Sequence, residues 1–339
     1  MFRIYFVCSA FSGDKMGYPR KRVAACVSAI CCFFWIFFAA PVWAGPLALE
    51  AGSAALFDMR SKRLLYEQDS TRRIPPASLT KVMAMFVVLD AVKSGKLSLR
   101  TPVRISKAAV RAGGSTMHLK AGERVRLDDL LRGMAVASAN DASVAVAEHV
   151  AGSQAAFVDM MNRKGARIGL KNTVFKTPHG LPAKGQMTTA ADMLRLACCY
   201  LEAHPSARWY HSSPAMLHNG MLLPNTNKML GHDAVSGLKT GFTSASGYNI
   251  IVTSTRHGRD MVGVLMRAAS GEVRTREAQR LLEYGANLPL SPAKASTKTS
   301  GRQNAKIENT SKKSKTPLPR RILPQTASLP PSAQGAQWR

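Results

Sequence analysis

The sequence predicts an α/β protein of the α+β kind, with one antiparallel sheet formed from both ends of a domain and an inserted all-α region between them. Three observations predict it. Extended patterns bounded by turn residues occupy 54–66 and return at 234–266, and apolar residues three and four apart dominate from about 105 to 225. With 339 residues and 46% apolar side chains, the chain can also bury a substantial core.

Taken in order, Ala54-Ala55-Leu56-Phe57 and Leu64-Leu65-Tyr66 flank a polar stretch at 58–63, the pattern of two strands joined by a tight turn. Pro75-Pro76 ends extended structure and suits a first helical turn. Leu79, Val82, Met83, Phe86, Val87 and Leu89 then follow as a mostly buried helix. Helical spacing marks 127–137, 142–151, 154–168 and 189–201, so the middle block is all-α in character. Strands are predicted at 234–240, 248–255 and 260–266, separated by Ser244-Ala245-Ser246-Gly247 and His257-Gly258-Arg259, before a last helix at 273–284.

Both ends of the chain differ from this body. Arg20-Lys21-Arg22 precedes an apolar run from Val23 to Ala40 and the small-x-small triplet Val42-Trp43-Ala44, which predicts a signal peptide over residues 1–44 and export; Met16 is an alternative start, and a retained anchor is the alternative to cleavage. Beyond Leu290 the composition turns to Lys, Ser, Thr, Pro and Gln. Residues 290–339 are therefore expected to be a disordered basic tail, because they cannot bury enough surface to offset the entropy of ordering.

The leader carries five basic residues and one acidic, the tail ten and one, which leaves +14 of the total +27 on residues 45–289. Such charge favours polyanions, among them anionic lipid, wall polymer and carboxylate-bearing peptides. No nucleic-acid partner is expected, since no binding module and no aromatics interleaved on a basic face are found. Four of the six cysteines lie in the leader. Only Cys198-Cys199 remain, with no disulfide framework and no metal spacing, and both thiols are expected buried on a helix.

Three short motifs carry chemistry. In Ser78-Leu79-Thr80-Lys81 the serine and lysine are three apart at a helix start, so hydroxyl and amine project from one face and the helix dipole favours developing negative charge. Ser138-Ala139-Asn140 places a hydroxyl and a carboxamide between two helices. Lys239-Thr240-Gly241 ends a strand with a residue lacking a side chain, the gap a bound peptide lying along that strand would need. Each alone is also ordinary: a cap, a solvated lysine, an exposed strand end. Together, in this order, they form the trio of class A β-lactamases and penicillin-binding proteins, with Ala139 where that pattern has Asp.

On these residues, and on Gly113-Gly114-Ser115, His179-Gly180-Leu181 and Gly247-Tyr248-Asn249, residues 46–289 resemble the low-molecular-mass penicillin-binding proteins of the D-alanyl-D-alanine carboxypeptidase family. The resemblance implies a β-lactamase/transpeptidase-like fold and a penicillin-binding serine peptidase domain over 45–289. It implies that Ser78 attacks the penultimate D-alanine carbonyl of a peptidoglycan stem, that Lys81 takes its proton, and that Ser138 and Lys239 relay it to the leaving D-alanine. Asn140 would hold a substrate amide, Thr240 the terminal carboxylate, and Lys239 and Arg276 its charge, beside Gly241. The backbone N–H groups of Ser78 and Phe242 would form the oxyanion hole. No metal or organic cofactor is required, and β-lactam antibiotics would be covalent inhibitors.

The periplasm or the outer face of the cytoplasmic membrane is the implied location. His118, His179 and His218 have no partner spacing for a triad or a zinc site and are expected to be structural. The chief alternative is an endopeptidase that cuts D-alanine cross-links with the same motifs. A β-lactamase is disfavoured because no Glu precedes a Leu-Asn pair between the second and third motifs, and a non-catalytic wall-binding protein because the Ser78-Lys81 pair is intact.

Overall fold

The computed structural model describes residues 47–290, so the predicted leader and almost all of the predicted tail lie outside the described residues. The first hairpin forms as expected from β1 (Ser53–Asp58) and β2 (Arg63–Gln68). A 3-10 turn at Ala77–Leu79 then runs into helix α1 (Thr80–Lys93), which is buried from Thr80 to Leu89. Burial on every side, and not amphipathicity, makes α1 the central post of the domain. Large side chains such as Phe86, Met83 and Met85 on it each contribute about 1.5–3 kcal/mol by leaving water.

The inserted region holds α2 (Lys107–Val110), α3 (Leu127–Ala135), α4 (Asn140–Ala151), α5 (Gln154–Arg167) and α6 (Ala190–Ala203), followed by α7 (Arg208–Ser212). Thr189, predicted as the first helical residue, is instead the cap of α6: its hydroxyl accepts from Asp192 N at 3.1 Å. The chain returns as β7 (Val235–Thr243), β8 (Gly247–Arg256) and β9 (Arg259–Ala268). Helix α8 (Gly271–Asn287) follows, capped by Ser270. The five long strands form one antiparallel sheet in the order β2-β1-β9-β8-β7, so the two ends of the domain meet where β1 pairs with β9.

Alternation along β1 and β9 divides the core. Ala55, Phe57, Val262 and Val264 face the inserted helices, whereas Leu56, Met261 and Leu265 face α8 with Leu281 and Leu282. From Ala48 the described residues belong to one compact unit. Among them, no helix is long and apolar enough to cross a membrane.

The inserted region is not all-α. It contains two short antiparallel hairpins, β3 (Pro102–Arg104) with β4 (Arg124–Arg126), and β5 (Ala215–His218) with β6 (Met221–Pro224). Three-residue strands give too short an alternation to register in a sequence. The second hairpin did carry a signal, since Asn219 and Gly220 turn with φ of 46° and 77°, the left-handed pair favoured in two-residue hairpin loops. A smaller correction concerns the cysteines: Cys198 is buried, but Cys199 is only half-buried.

Candidate active site

The three motifs converge although they lie far apart in the chain. Ser78 sits in the 3-10 turn at the foot of α1, with Lys81 one turn later. Lys81 Nζ, fully buried, lies 3.0 Å from Ser78 Oγ, 2.7 Å from Asn140 Oδ1 and 2.8 Å from the His179 carbonyl. Burial first, and the charge of Lys239 second, push the Lys81 ammonium well below the usual lysine range. The two carbonyl oxygens can only accept. A neutral amine has two N–H bonds and one lone pair, so both N–H bonds go to Asn140 and His179 and the lone pair is left for the Ser78 hydroxyl. This arrangement can activate a serine.

Asn140 opens α4, and its amide nitrogen donates to the Gly113 carbonyl at 2.8 Å while its backbone N–H donates to Ser115 at 2.7 Å. Asp141 accepts from the N–H groups of Met117 and Leu119, both at 3.1 Å. The 113–119 loop is thereby stitched to the start of α4. Ser138 lies in the short connection before it, buried, with φ of +60°, and its hydroxyl makes no hydrogen bond to another described residue. Ala77, immediately before Ser78, also has positive φ at +48°. Two non-glycine residues in this costly region flank the site, held there by surrounding packing.

Strand β7 supplies the third wall. Lys239 is buried and donates to the Thr240 carbonyl at 3.1 Å, and burial, followed by the guanidinium of Arg274, lowers it to about 7. Gly241, expected to make room for a bound peptide, has the protein's own backbone as its nearest neighbour. A Cβ there would stand 3.0 Å from Ser78 N and 3.2 Å from Ala77 Cβ, so the missing side chain lets β7 lie directly against the Ser78 turn. That approach also brings the backbone after Gly241 beside Ser78. The Phe242 ring is half-exposed and stacks on Tyr248 at 4.2 Å between centroids.

The structure corrects Arg276. Its guanidinium is committed to Glu50 at 2.8 Å and Glu277 at 2.9 Å, and the arginine whose charge reaches Lys239 is Arg274, one half-turn earlier in α8. Arg274 lies 6.0 Å from the Tyr248 ring centre, and its buried Nε has no hydrogen-bond partner among the described residues. Glu50 and Glu277 draw Arg276 away, a pairing that motif spacing cannot reveal.

A comparison with a protein family described as D-alanyl-D-alanine carboxypeptidase matches residues 40–270. The chain belongs to this family. D-alanyl-D-alanine carboxypeptidase DacC of Escherichia coli (strain K12) is 35% identical over 265 residues, 74% of this chain and 66% of the relative. The chain thus spans just under two thirds of that relative's length. Penicillin binding protein 6B from Escherichia coli is a structural neighbour with a TM-score of 0.69 and 36% identity, covering 73% of this chain and 80% of its own. A D-alanyl-D-alanine endopeptidase of Pseudomonas aeruginosa is similar at 29% identity over 66% of this chain and 73% of its own length. The fold is the transpeptidase-like fold of the penicillin-binding proteins.

Within this family fold, sequence reading missed the part played by the 177–181 loop. His179 was expected to be structural, and its ring is: Nδ1 accepts from Leu181 N at 3.1 Å, and burial followed by the Lys81 charge lowers it to about 4. Its carbonyl, however, is one of the three partners of Lys81. The loop is latched by Gln186, which accepts from the N–H groups of Lys176 and Thr177 at 3.0 Å and donates to Leu181 O at 2.8 Å. The available signal was Gly180, where a φ of +91° and the 1.8 Å that an added Cβ would leave to Ala77 O exclude any side chain.

Proposed function

We propose that this chain is a serine D-alanyl-D-alanine carboxypeptidase that removes the terminal D-alanine from peptidoglycan stem peptides through an acyl-enzyme. The observation that carries the proposal is the buried Lys81 amine, whose two acceptor partners reserve its lone pair for Ser78 Oγ. Ser78 Oγ would attack the penultimate D-alanine carbonyl while Lys81 takes its proton. Collapse of the tetrahedral intermediate breaks the C–N bond, and the leaving D-alanine amine takes a proton relayed through Ser138 and Lys239. Water then hydrolyses the Ser78 ester.

The N–H groups of Ser78 and Phe242 would hold the oxyanion, a role in which one donor typically contributes about 3–4 kcal/mol. Asn140 would take the substrate amide. Thr240, Lys239 and Arg274 would hold the terminal carboxylate, with Arg274 in place of the sequence-matched Arg276. β-Lactams are proposed as covalent inhibitors at Ser78, in keeping with similarity to a protein named for binding penicillin.

The same proposal takes residues 1–44 as an export leader, 45–289 as the peptidase domain and 290–339 as a basic tail held to anionic lipid or wall polymer by salt-sensitive contacts. The enzyme would then act in the periplasm or at the outer face of the cytoplasmic membrane.

Incubation with a stem pentapeptide and with a cross-linked dimer, followed by mass analysis, tests the activity. The expected result is pentapeptide shortened by one D-alanine with free D-alanine released. Cleavage of dimers alone would establish the endopeptidase instead.

The pH dependence has a definite sign. Lys239 is charged below about 7 and neutral above it, so its attraction for the carboxylate is present at lower pH and lost as pH rises. In kcat/KM, which reports the free enzyme, a falling limb near pH 7 is expected. A profile still rising or flat at pH 9 would contradict this assignment of Lys239.

A further inference from the structure

We propose that Thr226 is a positioning residue for carboxylate recognition, acting by turning the Thr240 hydroxyl into a hydrogen-bond donor at the carboxylate end of the site; this rests on the function proposed above. No sequence motif singles out Thr226, which lies 13 positions before Lys239. Its Oγ1 is 2.8 Å from Thr240 Oγ1 and 3.5 Å from Lys239 Nζ, so it stands between the two side chains that would meet the substrate's terminal charge.

The placement of Thr226 is fixed from several sides. Its backbone N–H donates to the Val136 carbonyl at 3.0 Å, just before the Ser138 connection. The flanking Asn225 donates to Ser213 O at 2.9 Å and accepts from Asn227 N at 2.8 Å, and Asn227 donates to the Gly237 carbonyl of β7 at 3.2 Å. Two carboxamides thus pin this segment to the end of α7 and to the strand that carries Lys239 and Thr240. A hydroxyl held so firmly beside another hydroxyl is poised for a defined exchange of donor and acceptor.

Proton counting supplies the role. A carboxylate only accepts, so Thr240 must present its proton to the substrate. In the free site the Thr240 hydroxyl donates to Thr226 Oγ1 instead. A charged Lys239 has donors and no lone pair, so Thr226 can accept from Lys239 and give its own proton to Thr240 Oγ1. Rotation of the two hydroxyls then yields the ordered chain Lys239 to Thr226 to Thr240 to carboxylate. No bond to carbon or nitrogen changes. Without the Thr226 hydroxyl, the Thr240 hydroxyl loses the donor that orders it and competes less well for the anion.

The test compares the parent, Thr226→Val, which keeps shape but not the hydroxyl, and Thr226→Ser, which keeps the hydroxyl. The readout is the ratio of second-order rates of Ser78 acylation by benzylpenicillin and by its methyl ester, measured below pH 7. In Thr226→Val the ratio is expected to fall about tenfold, the scale of a lost hydrogen bond to a charged group. In Thr226→Ser it should stay within about twofold of the parent. An unchanged ratio in the valine protein, or an equal loss in the serine protein, would overturn the proposal. Should the valine protein fail to fold, Thr226→Ala carries the same expectation. Failure of the parent to acylate at all would instead sink the proposed function, so the two failures are distinguishable.

Discussion

Replacing Lys81 with methionine is expected to slow acylation of Ser78 by at least about a thousandfold while leaving the fold intact. The lysine is fully buried in the central helix, and among the described residues its amine is the one hydrogen-bond partner of Ser78 Oγ. Positioned acid–base groups contribute about 10²–10⁴-fold, and in the proposed mechanism the same amine would also hold the Ser78 hydroxyl by its hydrogen bond. The stability change has two opposing parts. Losing the donor leaves Asn140 Oδ1 and His179 O without that partner, at about 1–3 kcal/mol each, whereas removing a desolvated amine from the interior is favourable. A near-unchanged melting temperature with a collapsed labelling rate would separate chemistry from folding. Labelling retained within about tenfold would show that Lys81 is not the base.

The second large effect is expected from Gly180→Ala. An added Cβ would meet Ala77 O at 1.8 Å and Thr80 Oγ1 at 2.9 Å, in a backbone conformation with φ of +91°. Backbone oxygen cannot yield that distance without moving either the Ser78 turn or the 177–181 loop. Overpacking and φ strain together are expected to cost about 3 kcal/mol or more. Displacing His179 O also releases Lys81 from one of its two acceptor partners, and a misplacement on the order of 1 Å is expected to reduce acylation by about a hundredfold. Thermal unfolding and penicillin acylation rates check both parts. Gly185→Ala, shortly after that loop, with φ of +81° and an added Cβ no nearer than 3.8 Å to a neighbour, is the control and should acylate within about twofold of the parent. Equal behaviour of the two variants would refute the special role of Gly180.

How much of this was legible beforehand depended on the range of the interactions involved. The β1–β2 hairpin, α1 and the three long returning strands each carry a local pattern, and a sheet shared by both ends of the domain followed from those signals; that β1 and β9 are the strands that pair is set by long-range contacts. Ser78 and Lys81 were recognisable because their contact is one helical turn long. Thr226, Asp141 and the His179 carbonyl were not, because their roles depend on contacts across 14, 24 and 98 positions and, for His179, on a backbone atom common to every residue. Arg276 shows the reverse failure: the motif matched, but Glu50, 226 positions away, holds its guanidinium elsewhere. Gly241 was correctly singled out for lacking a side chain, yet the neighbour it accommodates is the protein's own Ser78 turn.

The central claim is that a lysine-activated Ser78 forms an acyl-enzyme, and the most direct test is peptide mapping by mass spectrometry after brief exposure of the protein to benzylpenicillin. One penicilloyl adduct per chain, located on Ser78 and lost in Ser78→Ala, is the predicted result. An adduct on another residue, or labelling that persists in the alanine protein, would contradict it.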